Sequence, residues 1–84
     1  MGDEKQVGKV ISFFNKINVA AVILEDKLKI GDKVHIKGNT TDFEQKINSM
    51  QINKKDIKEG KKGQDVGIKV EDRVRPGDVV YKVL

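Results

Sequence analysis

The residues of this chain best suited to chemistry are the lysines between Asn53 and Gly63, because they are dense and interrupted by glycine. This short stretch also carries two acidic residues, Asp56 and Glu59, and its lysines are Lys54, Lys55, Lys58, Lys61 and Lys62. Flexible ammonium groups beside backbone amides that glycine leaves accessible suit the phosphates of a nucleic-acid backbone. The stretch is therefore a candidate RNA contact, and a solvated charged loop is the alternative.

The charge balance of the whole chain limits the kind of contact to expect. Seventeen basic residues against 13 acidic ones give a formal charge of +4, which permits nucleic-acid binding without requiring it. Arg73 and Arg75 are the only arginines, and only they offer the bidentate fork used to read bases. We add both arginines and Glu59 to the five lysines as candidate RNA-binding residues, and we expect contacts that are chiefly electrostatic.

Several classes of chemistry lack the residues they need. The chain has no cysteine, so it can form neither a disulfide nor a thiolate metal site. His35 is the only histidine, which leaves it without a companion ligand, and we predict no metal and no cofactor. Because no nucleophile stands beside a base and no carboxylate pair defines a pocket, the sequence predicts a protein that is not an enzyme.

Nucleotides and membranes are also predicted to play no part. Asn53-Lys54-Lys55-Asp56 spells the Asn-Lys-x-Asp of guanine-binding sites, but the chain has no glycine-rich phosphate loop, so we interpret this match as a coincidence. The longest apolar run, Val19 to Leu24, is far shorter than the roughly 20 residues needed to span a bilayer. No charged and apolar leader opens the chain, so we expect a cytoplasmic protein.

The candidate residues must be positioned by strands that begin at glycine turns. Gly31-Asp32, the Gly60 to Gly63 loop and Gly77-Asp78 each precede an alternation of apolar and polar residues, which is typical of half-buried strands. The pattern predicts six strands: 6–14, with a bulge at Gly8; 19–24; 33–37; 43–52, with a bulge near Asn48 or Ser49; 65–70; and 79–84. A four-residue loop joins the first two, and a helical turn is predicted over 53–58.

The number and spacing of these strands indicate the fold class. Six short strands without an amphipathic helix predict an all-β barrel or sandwich. We expect residues 1–5 to be flexible and residues 6–84 to form a single domain. The aromatic side chains of Phe13, Phe14, Phe43 and Tyr81 fall where a core is needed, which disfavours binding of single strands by base stacking.

Five short segments, taken in order, resemble the second domain of the translational GTPases, the barrel of elongation factor Tu and its relatives. The similarity covers about Val7 to Val83 and lies in Val7-Gly8-Lys9-Val10, Leu28 to Val34, Lys46 to Met50, Glu59 to Gly67 and Arg75 to Val80. The resemblance implies a small closed six-stranded β-barrel, rich in antiparallel pairs, of the translation-factor domain II type. It implies no GTPase activity, because the phosphate loop is absent.

The same resemblance implies a function in contact with RNA. In elongation factor Tu this barrel helps to hold the aminoacylated end of tRNA, and Glu59 matches an acidic residue that lies against the terminal adenosine. Where that factor has Gly-Arg-Val in its second strand, this chain has Ala21-Val22-Ile23, which is a departure from the pattern. The resemblance thus implies a stand-alone translation-elongation-factor-like barrel that contacts tRNA or the ribosome.

A protein-interaction module is the alternative. Barrels similar to those of the translation factors are also appended to collagenase-like bacterial peptidases, where they are accessory. The two hypotheses differ in the surface they require. RNA binding requires the lysines of the Glu59 to Gly63 loop and falls steeply with salt, whereas protein docking requires an exposed apolar patch.

Overall fold

The computed structural model describes residues 3–84, and within that range the chain forms strands and turns without a helix. No helix capable of spanning a membrane is therefore found there. The ten strands are β1 (Glu4–Phe14), β2 (Val19–Leu24), β3 (Leu28–Lys29), β4 (Lys33–Lys37), β5 (Asp42–Lys46), β6 (Met50–Ile52), β7 (Lys55–Asp56), β8 (Glu59–Gly60), β9 (Asp65–Lys69) and β10 (Val79–Val83). The predicted all-β fold is confirmed.

One long strand, β1, lies at the middle of the main sheet. Eight strands are hydrogen-bonded in the order β5-β4-β10-β1-β2-β9-β6-β7, and β3 and β8 form a separate pair. Every pairing is antiparallel. The register of β1 against β10 shifts between Gln6 and Gly8, which confirms the predicted bulge. A Cβ atom at Gly8 would lie 2.6 Å from Cγ1 of Val22, so glycine lets β1 approach β2 closely.

The core is built from the inward faces of these strands. Val34 and Ile36 of β4 are buried as the alternation predicts, and so are Val66 and Ile68 of β9. The other buried apolar side chains are Val7, Val10, Ala20, Val22, Leu24, Leu28, Ile47, Met50, Val70, Val74 and Val80. Most of them are β-branched, which suits the crowded surface of a pleated sheet.

The predicted glycine turns share one hydrogen-bonding pattern. In the turn before β4, the Asp32 N–H donates to the Lys29 carbonyl oxygen over 3.1 Å. In return, the Lys29 N–H donates to Oδ2 of Asp32 over 3.0 Å. The third residue, Gly31, has a φ of 94°, which is the left-handed conformation that a type II turn requires at this position.

The turns before β9 and β10 repeat this arrangement. Asp78 and Arg75 exchange the same two bonds, over 3.0 Å to the carbonyl and 2.8 Å to the carboxylate. Gln64 and Lys61 exchange them over 3.1 Å and 2.8 Å, with an amide oxygen in place of the carboxylate. The left-handed glycines are Gly63 and Gly77. Three strands therefore start from the same structural unit.

The prediction of a closed six-stranded barrel is wrong. The main sheet stays open, because β5 and β7 at its ends do not pair with each other. Instead, the buried side chain of Gln45 on β5 reaches the chain at the end of β9. Its Nε2 donates to the Lys69 carbonyl over 3.0 Å, and its Oε1 accepts from the Glu71 N–H over 2.7 Å. One amide thus takes the place of the backbone ladder that would close a barrel.

Of two local predictions between Phe43 and Lys58, one holds in part and one fails. The predicted fourth strand is split into β5 and β6, and its inward face changes between Ile47 and Met50, where the bulge was predicted. Ile47 turns inward, and its N–H and carbonyl bond to the turn before β4. The predicted helical turn over 53–58 is instead the β6–β7 hairpin. Its two loop residues, Asn53 and Lys54, have φ values of 52° and 66°, as a type I′ turn requires.

Replacing Gln45 with leucine should remove the bridge across the opening of the sheet. The Glu71 N–H and the Lys69 carbonyl would lose their partners, so we expect the free energy of unfolding to fall by about 1–3 kcal/mol in urea denaturation. Gln6→Leu is the matched control, since Gln6 is exposed and makes one side-chain bond, to Glu25. Its effect should stay within about 0.5 kcal/mol. Equal effects of the two variants would contradict the role given to Gln45.

Replacing Lys54 with glycine should stabilise the protein. Lys54 has a side chain in the left-handed region, and glycine adopts this conformation without steric cost, so the free energy of unfolding should rise by about 0.5–1 kcal/mol in thermal denaturation. Lys55→Gly, one residue further and inside β7, should destabilise by a similar amount. A loss of stability in Lys54→Gly would show that the turn is not strained.

Candidate functional site

The eight predicted RNA-binding residues are all exposed, but they lie in three parts of the structure. Lys54 and Lys55 are at the β6–β7 hairpin, whereas Lys58, Glu59, Lys61 and Lys62 lie in and around β8 and in the turn before β9. Glu59 is paired with Lys29 of β3. Arg73 and Arg75 belong to the loop before β10 and line a cleft with Thr40, Thr41, Asp42 and Phe43. The arginines thus lie apart from the lysine-rich segments.

A different surface has the shape of a binding site. A groove of about 560 Å³ runs over the outer side of β2 and β9. Its apolar wall is formed by Phe14, Ile17 and Val19, and the small side chain of Ala21 and the backbone of Gly67 lie beside them. Phe14 is 51% exposed and Ile17 60% exposed. We call this surface the apolar groove.

The opposite wall of the apolar groove is polar. It is formed by Gln51, Asn53, Lys54 and Asp65, which come from β6, the β6–β7 turn and β9. Both turn residues have positive φ, and the fold thereby holds an amide and an ammonium group at the rim. Apolar contact on one side and hydrogen-bonding groups on the other suit a polypeptide better than a phosphate backbone.

The groove is not apparent in the sequence, where the alternation of β1 assigns Phe14 to the core. The pairing at the end of β1 explains why Phe14 was wrongly assigned to the core. The register of β1 against β2 shifts between Val10 and Ser12, so the alternation that buries Val10 does not continue to Phe14. Phe13 packs against the core instead, and Phe14 faces solvent opposite Val19. The sequence does contain one indication of the groove. Ile17 is an apolar residue in a loop of turn residues, where it has no contact with the core.

A second cluster surrounds His35 on the outward face of β4. Nδ1 of His35 lies 2.7 Å from Oε2 of Glu4, and Nε2 contacts Oδ1 of Asp42. Hydrogen bonds to Asp42 first and to Glu4 second raise the pKa of His35 above its ordinary value. The bond from His35 in turn lowers the pKa of Asp42.

A donor atom of Glu44 also lies near this cluster, and together with Glu4 and His35 it could hold a metal ion, since the three ligand atoms lie within 4.8 Å of one another. These donors are already engaged, however. Both ring nitrogens of His35 face carboxylates, and Glu44 pairs with Lys33 over 3.0 Å. We therefore interpret the cluster as a set of ion pairs.

Comparison with known proteins identifies relatives among the proteases. Over 77 residues, 90% of this chain, the sequence is 47% identical to an uncharacterised protease of Methanocaldococcus jannaschii, of which the match covers 19%. It is 36% identical over 78 residues to a collagenase of Porphyromonas gingivalis, of which the match covers 22%. The chain thus spans about a fifth of these relatives. No family model matches it.

Comparison with solved structures identifies domains that have a similar fold. The C-terminal domain of a Geobacillus thermoleovorans protein assigned to the U32 peptidases superposes with a TM-score of 0.87, over 93% of this chain and 91% of that domain. A selenomethionine variant of the same domain gives a TM-score of 0.86. Sequence identity to these structures is 21% and 20%, so the likeness establishes the fold alone.

These relatives overturn the assignment to translation factors. The predictions of an elongation-factor-like protein, of tRNA or the ribosome as partner, and of a role in translation are wrong, since the similar sequences are named as a protease and collagenases. The error has a physical origin. The segments that carried the resemblance are mostly the glycine turns that start strands, and these report how the backbone is built rather than what it binds. The chain is similar in sequence to about a fifth of the Methanocaldococcus jannaschii protease. It is similar in fold to the C-terminal domain of the protein assigned to the U32 peptidases.

Proposed function

We propose that this chain is a non-catalytic accessory domain of a peptidase, and that its apolar groove packs against the catalytic part of that enzyme. The proposal is carried by one observation: Phe14 and Ile17 are large apolar side chains exposed on the same wall of one groove. Exposed apolar surface of this kind marks interaction sites in folded proteins.

The lengths of the relatives indicate which partner the apolar groove contacts. The match covers 19% of the archaeal protease and 22% of the collagenase, so about four fifths of each polypeptide lies outside it. A domain of this size in such a chain has a large covalently attached neighbour, at a high effective concentration. An apolar face next to that neighbour is expected to be covered by it.

The chemistry of the chain supports a role without catalysis. The chain has no cysteine and a single histidine. Both ring nitrogens of that histidine are held by Glu4 and Asp42, so His35 is not placed to activate a serine or threonine hydroxyl. Peptide hydrolysis would therefore depend on residues outside the matched segment. The cytoplasmic location stays a prediction.

A chimera tests the docking. The matched segment of the Methanocaldococcus jannaschii protease would be replaced by this chain, and thermal unfolding would be followed by calorimetry. We expect the domain and the rest of the enzyme to unfold in one coupled transition. The double variant Phe14→Ser and Ile17→Ser should separate this into two transitions and speed proteolysis of the junction, because the groove can no longer bury apolar area.

The control for this experiment is Ile30→Ser. Ile30 is 38% exposed but does not line the apolar groove, so the coupled transition should persist. Separate transitions in the unmodified chimera would overturn the proposal. So would coupling that survives the double variant, or dimerisation through the groove detected by sedimentation. Binding of gelatin that depends on Phe14, without coupling, would assign the groove to substrate polypeptide instead.

A further inference from the structure

The side chain of His35 lies between two carboxylates that come from different strands. Glu4 belongs to β1 and Asp42 to β5, while His35 is on β4. A neutral imidazole carries one N–H, so it can donate to only one of two ionised carboxylates. Contact of both ring nitrogens with carboxylate oxygens therefore requires the imidazolium form. The side chain of His35 is only 15% exposed, which limits competition from water.

Other charged and titratable groups face this histidine from each neighbouring strand. Glu44 on β5 is its direct cross-strand partner and is bound by Lys33. Tyr81 on β10 is its partner on the other side, with the ring centroids 6.4 Å apart. Lys37, on the same strand as His35, acts on Asp42 through its charge. With Glu4 and Asp42, the cluster holds three carboxylates, so loss of the imidazolium charge leaves it with an excess of negative charge.

The two carboxylates bound by His35 are at strand ends. Glu4 is the first residue of β1, and its backbone is held there by pairing with Val83. Asp42 is the first residue of β5, which is an edge strand with β4 as its single neighbour. Strand ends and edge strands open at lower free energy than the centre of a sheet. The hydrogen bonds from His35 to these two residues therefore restrain the sheet where its backbone opens most easily.

We propose that His35 is a proton-controlled clamp, which fastens the first residues of β1 and the edge strand β5 to β4 when the imidazole is protonated and releases them when it is neutral. The clamp and the apolar groove act at opposite ends of β1, roughly 30 Å apart at about 3.3 Å per residue. The clamp is independent of the proposed peptidase role.

The sign of the effect follows from the pKa shifts. The pKa of His35 is raised above 6.5 in the folded state, by Asp42 first and Glu4 second. Its stabilising contribution is therefore complete below pH 6.5 and is lost as the pH rises through the folded-state pKa. The pKa of Asp42 is lowered from 3.8, so the contribution of Asp42 is lost only as the pH falls through that lower value.

An NMR titration tests the clamp, because the chain has one histidine and its ring signals are unambiguous. We expect a ring pKa above 6.5, with the backbone amides of residues 4–5 and 42–44 titrating at the same pH. In thermal denaturation from pH 6 to pH 9, the wild type should lose stability relative to His35→Gln.

Two further variants separate the clamp from a general charge effect. Asp42→Asn should lower the ring pKa and abolish the coupled amide shifts at residues 42–44. Glu59→Gln removes a carboxylate outside the cluster and should leave the ring pKa unchanged. A ring pKa at or below 6.5, a pKa equal in the wild type and Asp42→Asn, or parallel stability curves for the wild type and His35→Gln would each overturn the proposal.

Discussion

Three residues that adopt a left-handed backbone conformation determine where strands begin in this molecule. Gly31, Gly63 and Gly77 each occupy the third position of a turn whose fourth residue returns a side-chain oxygen to the first N–H. The turn thus satisfies its own backbone and sets the direction of the strand that follows. Because β4, β9 and β10 all start in this way, the beginning of each of these three strands depends on a small unit of local structure.

Local structure is also what the sequence predicts well. The bounds of β2 and β4 match the prediction, and those of β9 and β10 differ by one residue, because alternation and turn chemistry act over a few residues. Two departures from the prediction are decided by distant partners, whereas the predicted helical turn over 53–58 is replaced by a local hairpin turn. Ile47 leaves its strand to bond to the turn before β4, and Gln45 bridges to residues near 70. Neither contact has a signature in the neighbouring sequence.

The site was harder to predict than the fold for the same reason. The lysine-rich loop is conspicuous in sequence, yet charged residues are common on solvated turns and need no ligand. The apolar groove is assembled from β1, β2, β6 and β9, and its most exposed wall depends on a register shift that pairing alone reveals. The resemblance to translation factors failed likewise, because glycine turns constrain the backbone and leave the outward side chains free to change.

The bridge made by Gln45 has a mechanical consequence. Elsewhere the strands are joined by ladders of backbone bonds that share an applied load, whereas the opening between β5 and the end of β9 is held by the two hydrogen bonds of one amide. A force that spreads β5 from β9 would therefore load two side-chain bonds, whereas the ladders that β1 makes with β2 and with β10 share a load among several residue pairs.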